Sequence, residues 1–193
     1  MSAAPFPLAP GAVIGILGGG QLGRMLAMAA ARLGFDVAVL DPEPNAPAKR
    51  LAAHRLTAAY DDSFELSKLA AIGFCFGGSA VLDLARSGAD IAAVVSFHGG
   101  LQTDDPALAK QIKARVLVMN GADDKGTMPD ADKFMDEMRG SKADWQFVVL
   151  GNAVHCFTET DQHSAGCAYD ERAAQRSYRL MRDWLHGAFS NTP

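Results

Sequence analysis

Short apolar runs of strand length alternate along this chain with amphipathic segments of helix length, and this alternation restricts the fold more than any other feature. We predict strands over Val13–Leu17, Phe35–Leu40, Arg55–Ala59, Ala71–Phe74, Ile91–Ser96, Arg115–Met119 and Gln146–Leu150. We predict helices from Gln21 to Gly34, from a cap at Asp61 to Leu69, and over Gly78–Arg86, Pro129–Arg139 and Tyr169–Phe189. Strands that alternate with helices form parallel sheets covered on both faces. The predicted fold class is therefore α/β, a three-layer α/β/α arrangement around one mostly parallel, doubly wound sheet.

Apolar spacing also predicts which helix faces are buried. In the first helix the predicted inward set is Leu22, Met25, Leu26, Ala29 and Leu33. In the last helix it is Tyr178, Met181, Leu185 and Phe189.

The bulk composition excludes several classes of function. The formal net charge of -4 over 193 residues gives no electrostatic footprint for nucleic acid or an anionic membrane. No apolar run approaches the roughly 18 residues that a membrane-spanning helix needs, and the first residues read as a frayed leader, not as a signal peptide. Cys75, Cys156 and Cys167 are an odd number without metal-ligand spacing, so we expect free thiols and a cytoplasmic location. The residues leave open whether the chain is a monomer or a homodimer.

The stretch AAIGFCFGGSA places a cysteine at the turn between a strand and a helix. Cys75 occupies the nucleophile position of the pattern Gly-x-nucleophile-x-Gly, between Gly73 and Gly77. Small neighbours are needed at such a turn because its backbone is strained and the helix passes close by. The helix N-terminus favours a thiolate, so the pattern predicts an activated cysteine. We expect the backbone N–H of Phe76 to serve as one oxyanion donor.

Candidate partners for this nucleophile follow it in the chain order of α/β-hydrolases, which is nucleophile, acid, histidine. The loop NGADDKGTMP after the sixth predicted strand contains Asp123 and Asp124, and the loop GNAVHCF after the seventh contains His155. Both loops follow the carboxyl ends of strands, where α/β sheets place their sites. Each residue alone has an ordinary structural explanation, but their order and placement favour a catalytic triad. His98 also follows a strand, and we interpret it as structural.

From about residue 68 to residue 189 the chain resembles the dienelactone hydrolase family of α/β-hydrolases. The resemblance rests on the stretches AAIGFCFGGSAVLDLARSG, VVSFHGGL, ARVLVMNGADD, FMDEMR, ADWQFVVLGNAVHCFT and YDERAAQRSY. It implies a Cys-His-Asp triad with Cys75 as nucleophile, His155 as base and Asp124 as the acid, for which Asp123 is the fallback. It also implies small cyclic ester or lactone substrates and no metal or organic cofactor.

A second glycine-rich motif lies near the start of the chain. Gly18, Gly20 and Gly23 fit the pattern G-x-G-x-x-G between a strand and a helix, and Asp41 closes the next strand at about the spacing of a ribose-binding acid. Taken alone, the motif predicts a phosphate or dinucleotide site; a tight turn that holds only water fits it about equally well. The candidate anion-binding residues are Gly18, Gly19, Gly20, Gln21 and Gly23.

The sequence around this motif resembles a different family. The stretch IGILGGGQLGRMLAMAAARLGFDVAVLDPEPNAPA, followed by AAYDD, is similar to the N-terminal domain of carboxyaminoimidazole ribonucleotide synthetase, an ATP-grasp enzyme of purine biosynthesis. The resemblance runs from about Pro7 to Leu69. In that family the domain lies against ATP-grasp domains that carry the nucleotide, and none is recognisable here. We therefore do not expect the synthetase reaction.

The two resemblances meet near Leu69 without a linker, and each covers only part of its family's domain. We interpret the chain as an engineered chimera and a single hybrid domain, in which residues 1–69 supply a Rossmann-like half and residues 70–193 an α/β-hydrolase half. We expect Val13–Leu17 to pair with Ala71–Phe74. Because the loop that supplies a second oxyanion donor is replaced, we expect weak or no ester or lactone hydrolysis. The alternatives are an inactive fold-test protein and a phosphate or nucleotide binder.

Overall fold

The chain divides into two compact units, an N-terminal unit of residues 1–66 and a C-terminal unit of residues 67–193. The computed structural model describes residues 13–58 and 69–190. The boundary between the units lies close to the junction expected near Leu69. The expected leader, the helix expected over 61–69 and the end of the third predicted strand at Ala59 lie outside the described residues. The single hybrid domain stays a prediction.

The N-terminal unit contains a parallel sheet in the order β1-β2-β3. Its elements are β1 (Val13–Leu17), α1 (Gln21–Arg32), β2 (Asp36–Leu40) and β3 (His54–Leu56). In the central strand, Val37, Val39 and Leu40 are almost completely buried. A parallel strand that is covered on both faces has this continuous apolar character.

The buried face of α1 differs from the predicted one. Ala27 and Ala30 pack into the core of the N-terminal unit with Val37 and Val39. The predicted inward set is exposed, namely Leu22, Met25, Leu26, Ala29 and Leu33. Apolar residues lie on most sides of this helix, so their period does not select one face, whereas alanine side chains let the helix approach the strands closely. The prediction for this helix is therefore wrong.

The C-terminal unit contains a parallel sheet in the order β4-β5-β6-β7. Its strands are β4 (Ala70–Phe74), β5 (Ala93–Phe97), β6 (Arg115–Gly121) and β7 (Trp145–Leu150). Its helices are α2 (Phe76–Arg86), α3 (Ala131–Arg139) and α4 (Glu171–Ser190). These bounds lie close to the predicted ones, and the α/β class is confirmed. None of the described helices combines the length and the apolar character that crossing a bilayer requires.

Within the N-terminal unit β1 pairs with β2, and within the C-terminal unit β4 pairs with β5, in each case in parallel. The expected pairing of Val13–Leu17 with Ala71–Phe74 joins the two units and stays a prediction. A short antiparallel hairpin of β8 (His163–Ser164) and β9 (Cys167–Ala168) was not predicted.

Strand β4 and helix α2 cross so closely that Gly73 has no room for a side chain. A Cβ atom at Gly73 would lie 1.9 Å from the carbonyl oxygen of Gly77. We expect Gly73→Ala to lower the free energy of unfolding by about 3 kcal/mol, the upper end of the usual overpacking range. Urea denaturation followed by tryptophan fluorescence measures this, because Trp145 and Trp184 both lie in the C-terminal unit. Gly77→Ala is the control, since its Cβ would meet open space; equal losses for both variants would contradict the crowding.

Candidate active site

Four side chains with the chemistry of a catalytic site lie at the carboxyl ends of the four adjacent strands β4 to β7. Cys75 follows β4, His98 follows β5, Asp124 lies in the loop after β6, and His155 lies in the loop after β7. The carboxyl ends of parallel strands lie at the same edge of a sheet, so these loops are neighbours. The Cys75 sulfur and a ring nitrogen from each histidine all lie within 4.8 Å of one another.

Cys75 lies at a strained turn that directly precedes α2. Its backbone angles are φ 49° and ψ -119°, a conformation that residues with a side chain rarely adopt. Its N–H donates to the carbonyl oxygen of Phe97 at 3.1 Å. Phe76 is the first residue of the helix, where no preceding turn offers its N–H a carbonyl oxygen. The local geometry is thus the sharp strand-to-helix turn that the glycine pattern predicts.

Asp124 orients His155 through a short hydrogen bond. The Nδ1 atom of His155 lies 2.7 Å from Oδ2 of Asp124. Burial by itself would raise the pKa of Asp124, but hydrogen bonds from His155, from the Thr127 hydroxyl and from the Gly126 N–H outweigh it and hold that pKa below its usual value. An ionised carboxylate only accepts hydrogen bonds, so Nδ1 of His155 carries a proton, and in the neutral imidazole the lone pair is on Nε2. Asp123, the fallback, is exposed.

His98 is fully buried and contacts the thiol, which the structural interpretation of this residue did not anticipate. Its Nδ1 atom accepts the Cys75 N–H at 3.2 Å and lies 3.3 Å from the Cys75 sulfur. Nδ1 is therefore unprotonated, and Nε2–H donates to the Thr158 hydroxyl at 2.8 Å. Burial and the neighbouring His155 lower the pKa of His98 to about 4. This imidazole is therefore neutral at neutral pH. In the sequence, the position of His98 directly after a strand was the signal that could have placed it in the site.

Glu159 also contacts the thiol, and no motif in the sequence indicates this contact. The Cys75 thiol donates to Oε1 of Glu159 at 3.2 Å. Burial, the hydrogen bond to Glu159 and the charges of Glu159 and Asp124 raise the pKa of Cys75 to about 12. The thiol is therefore protonated at neutral pH, which corrects the expectation of an activated thiolate. Burial and two carboxylates near the sulfur outweigh the partial positive charge of one helix N-terminus.

A disulfide joins Cys156 to Cys167, and Cys75 is the free cysteine. This corrects the expectation of three free thiols, and the argument for a cytoplasmic location loses that support. The two paired residues are 11 positions apart, and nothing in their spacing signals the bond. Cys156 follows His155 directly, and the Ala168 N–H donates to the His155 carbonyl oxygen at 3.0 Å. The loop that carries His155 is thus held to the β8–β9 hairpin by a disulfide bond and by a backbone hydrogen bond.

The predicted anion-binding residues lie in the turn from β1 into α1, which contains Gly18, Gly19 and Gly20, and in the first turn of α1, which contains Gln21 and Gly23. Gly18 has a φ of 97°, and a Cβ at Gly23 would lie 2.1 Å from the Gly18 carbonyl oxygen, so both positions require glycine. The Gly19 N–H donates to Oδ2 of Asp41, a buried carboxylate, at 2.6 Å. An anion at this N–H would have to displace that carboxylate. Anion binding by the loop stays a prediction.

Comparison with known proteins relates most of the chain to one family. The model of the dienelactone hydrolase family matches residues 31–189. An uncharacterized protein of Caenorhabditis elegans is 38% identical over 131 residues, which cover 64% of this chain and 82% of that protein. The crystal structure of a dienelactone hydrolase-like promiscuous phosphotriesterase from metagenomic libraries is 32% identical, with a TM-score of 0.62, over 93% of this chain and 87% of its own.

The N-terminal residues are similar to a second kind of protein. The N5-carboxyaminoimidazole ribonucleotide synthase of Brucella melitensis is 56% identical over 64 residues, 33% of this chain and 18% of the synthase. The Bacillus subtilis synthase is 51% identical over 63 residues, 17% of its length. The chain thus spans less than a fifth of these relatives. Both resemblances seen in the sequence are confirmed, and together they are consistent with a chimera.

The hydrolase match is the more extensive of the two. It begins at residue 31, inside the synthase-like segment, and therefore includes β2 and β3 as well as the C-terminal unit. The structural similarity to the metagenomic phosphotriesterase also extends over nearly the whole chain. The chain belongs to the dienelactone hydrolase family.

Proposed function

We propose that this chain is a cysteine-dependent hydrolase of small carboxylic esters or lactones, with weak turnover. The observation that carries the proposal is the 2.7 Å hydrogen bond between His155 and Asp124 at the sheet edge where Cys75 lies. A nucleophile on a strained turn, a histidine base and a carboxylate that orients the base are the three groups that acyl transfer through a covalent intermediate requires.

Each residue has one role in the proposed reaction. The thiol proton of Cys75 passes to Nε2 of His155, the sulfur attacks the carbonyl carbon, and the Phe76 N–H stabilises the negative charge that develops on the carbonyl oxygen. The carbon–oxygen bond of the ester then breaks, and the leaving alkoxide takes the proton from His155. Water, deprotonated by His155, hydrolyses the thioester and restores the thiol. Asp124 keeps the imidazole in the required tautomer throughout.

Two features of the chain support weak turnover. The pKa of Cys75 is about 12, and each unit by which a thiol pKa exceeds the ambient pH reduces the thiolate fraction about tenfold. A second oxyanion donor comes, in α/β-hydrolases, from a loop upstream of the nucleophile strand. In this chain the part of the upstream region before residue 31 resembles the synthase and lies outside the match to the hydrolase family. Loss of one oxyanion donor costs about 3–4 kcal/mol of transition-state stabilisation.

The test is hydrolysis of 4-nitrophenyl acetate and of a dienelactone by the whole chain and by three variants. We expect slow hydrolysis above the buffer rate, and a fall of about tenfold or more, to the background, in Cys75→Ala and in His155→Gln. His163→Gln is the control, because His163 is an exposed histidine of the same unit, and it should keep the full rate. Hydrolysis by Cys75→Ala at the unsubstituted rate would overturn the proposal.

The coincidence of two boundaries supports a further part of the proposal, that the chain is an engineered chimera. The similarity to the synthase covers about the first 60 residues, and the compact units divide between residues 66 and 67. The end of the similarity to the synthase therefore falls near a structural boundary. All the residues of the proposed reaction lie in the C-terminal unit.

A further inference from the structure

The Cys75 sulfur and one ring nitrogen each of His98 and His155 form a compact group of soft and borderline ligand atoms. All three atoms lie within 4.8 Å of one another, and the sulfur and Nδ1 of His98 are 3.3 Å apart. In a tetrahedral zinc site, bonds of about 2.0–2.3 Å place neighbouring ligand atoms about 3.3–3.6 Å apart. The first pair already has this spacing. The other two pairs of ligand atoms are at most 4.8 Å apart, and rotation of Cys75 or of the partly exposed His155 would bring them to this spacing.

We propose that these three residues bind a thiophilic divalent transition metal ion such as Zn²⁺, with water as the fourth ligand, and that the bound ion blocks the nucleophile. Three protein ligands and an open fourth position are typical of zinc sites that are reached from solvent. Binding of the metal ion does not depend on the function proposed above. The block of hydrolysis rests on that function, because it requires Cys75 to be the nucleophile.

Both histidines already have the hydrogen bonds that orient a metal ligand. Nδ1–H of His155 donates to the buried Asp124 carboxylate, and Nε2–H of His98 donates to the Thr158 hydroxyl. Such partners fix the tautomer and leave the other nitrogen with its lone pair toward the metal. On His98 that lone pair accepts the Cys75 N–H at 3.2 Å, and the metal replaces this hydrogen bond.

The charges around the sulfur favour a dication. The carboxylate of Glu159 lies 3.2 Å from the Cys75 sulfur, and the carboxylate of Asp124 lies behind His155. The same negative charges that oppose a thiolate attract Zn²⁺. Binding forms the sulfur–metal bond and breaks the S–H bond, and the thiol proton passes to solvent, by way of the Glu159 carboxylate that accepts it in the free protein. One proton is thus released for each metal ion bound.

The test is a Co²⁺ titration of the whole chain without thiol reductant, so that Cys156 and Cys167 stay paired. A cobalt–thiolate bond gives a near-ultraviolet charge-transfer band, which we expect to saturate at one Co²⁺ per chain and to disappear when Zn²⁺ is added. Cys75→Ala should abolish the band. His98→Asn and His155→Gln should each weaken Co²⁺ binding at least about tenfold, while His163→Gln should leave it unchanged.

Two outcomes would overturn the proposal: no charge-transfer band with the unsubstituted chain, or a band that persists in Cys75→Ala. Because His98 is buried, His98→Asn tests folding as well as metal binding, whereas His155→Gln, with circular dichroism to verify its fold, keeps the ligand test decisive. Reversible inhibition of hydrolysis by Zn²⁺ and its recovery with a chelator test the block separately. A saturable band without any hydrolysis would sustain the metal site and refute the proposed function.

Discussion

Replacing Glu137 by alanine should lower the free energy of unfolding of the C-terminal unit by about 3–5 kcal/mol. The Glu137 carboxylate accepts hydrogen bonds from Nε of Arg86 at 2.8 Å and from Nη2 at 2.9 Å. The side chains of the two residues are only 2–3% exposed. Without Glu137 the guanidinium stays buried among the carbonyl oxygens of Leu101 and Gln102 and keeps the exposed Asp83 as a counter-charge.

Urea denaturation monitored by the fluorescence of the two tryptophans measures the effect. Asp136→Ala is the matched control on the same helix, because Asp136 pairs with Arg139 where both side chains are 62–74% exposed, and an exposed pair contributes less than about 1 kcal/mol. Replacing the buried pair as a whole, with Arg86→Met and Glu137→Leu together, should restore part of the loss, since no unpaired charge is left. Similar losses of unfolding free energy for Glu137→Ala and Asp136→Ala would show that burial of the ion pair does not determine the cost of removing its carboxylate.

Replacing Glu159 by glutamine should speed the alkylation of Cys75 about tenfold to a hundredfold at pH 8. Iodoacetamide reacts with the thiolate, and the Glu159 carboxylate stabilises the thiol through a hydrogen bond of 3.2 Å and repels the thiolate. An amide does neither. The pKa of Cys75, raised to about 12 with Glu159 in place, should fall in the variant, so the pH profile of labelling should move to lower pH.

Mass spectrometry after labelling without reductant follows Cys75 alone, because the other two cysteines are paired. Asp161→Asn is the control, since Asp161 is an exposed acid two positions further along the chain, and its replacement should leave the rate unchanged. If Glu159→Gln is labelled no faster than the unsubstituted chain, the thiol is held protonated by burial and not by this carboxylate.

The location of the site at one edge of the sheet could be predicted from the local sequence pattern. Cys75, Asp124 and His155 each come shortly after an apolar run of strand length, and parallel strands end at one edge, so their common location needed no long-range information. His98 has the same signal. Its interpretation as structural overlooked that the loop after β5 lies between those of its neighbours.

Other parts of the site depend on contacts that no local pattern specifies. Glu159 is 84 positions from Cys75 along the chain, and nothing in the sequence says that the loop after His155 turns back onto the thiol. Burial and that contact together raise the pKa of Cys75, so the sequence alone suggested a thiolate where the fold holds a thiol. The prediction of the buried face of α1 was wrong for a related reason. Packing against the neighbouring strands, and not the apolar period of the helix, determines that Ala27 and Ala30 are buried.

The disulfide has a consequence for how the chain responds to a protease. Cys156 and Cys167 close the intervening residues into a covalent ring, and the ring includes exposed residues such as Thr160 and Asp161. A single cut inside the ring opens a peptide bond without releasing a fragment, so the nicked chain keeps its full mass until a reductant separates the pieces. His155 lies on one piece and α4 on the other, which means that the histidine remains tethered to the C-terminal helix even after the backbone between them has been broken.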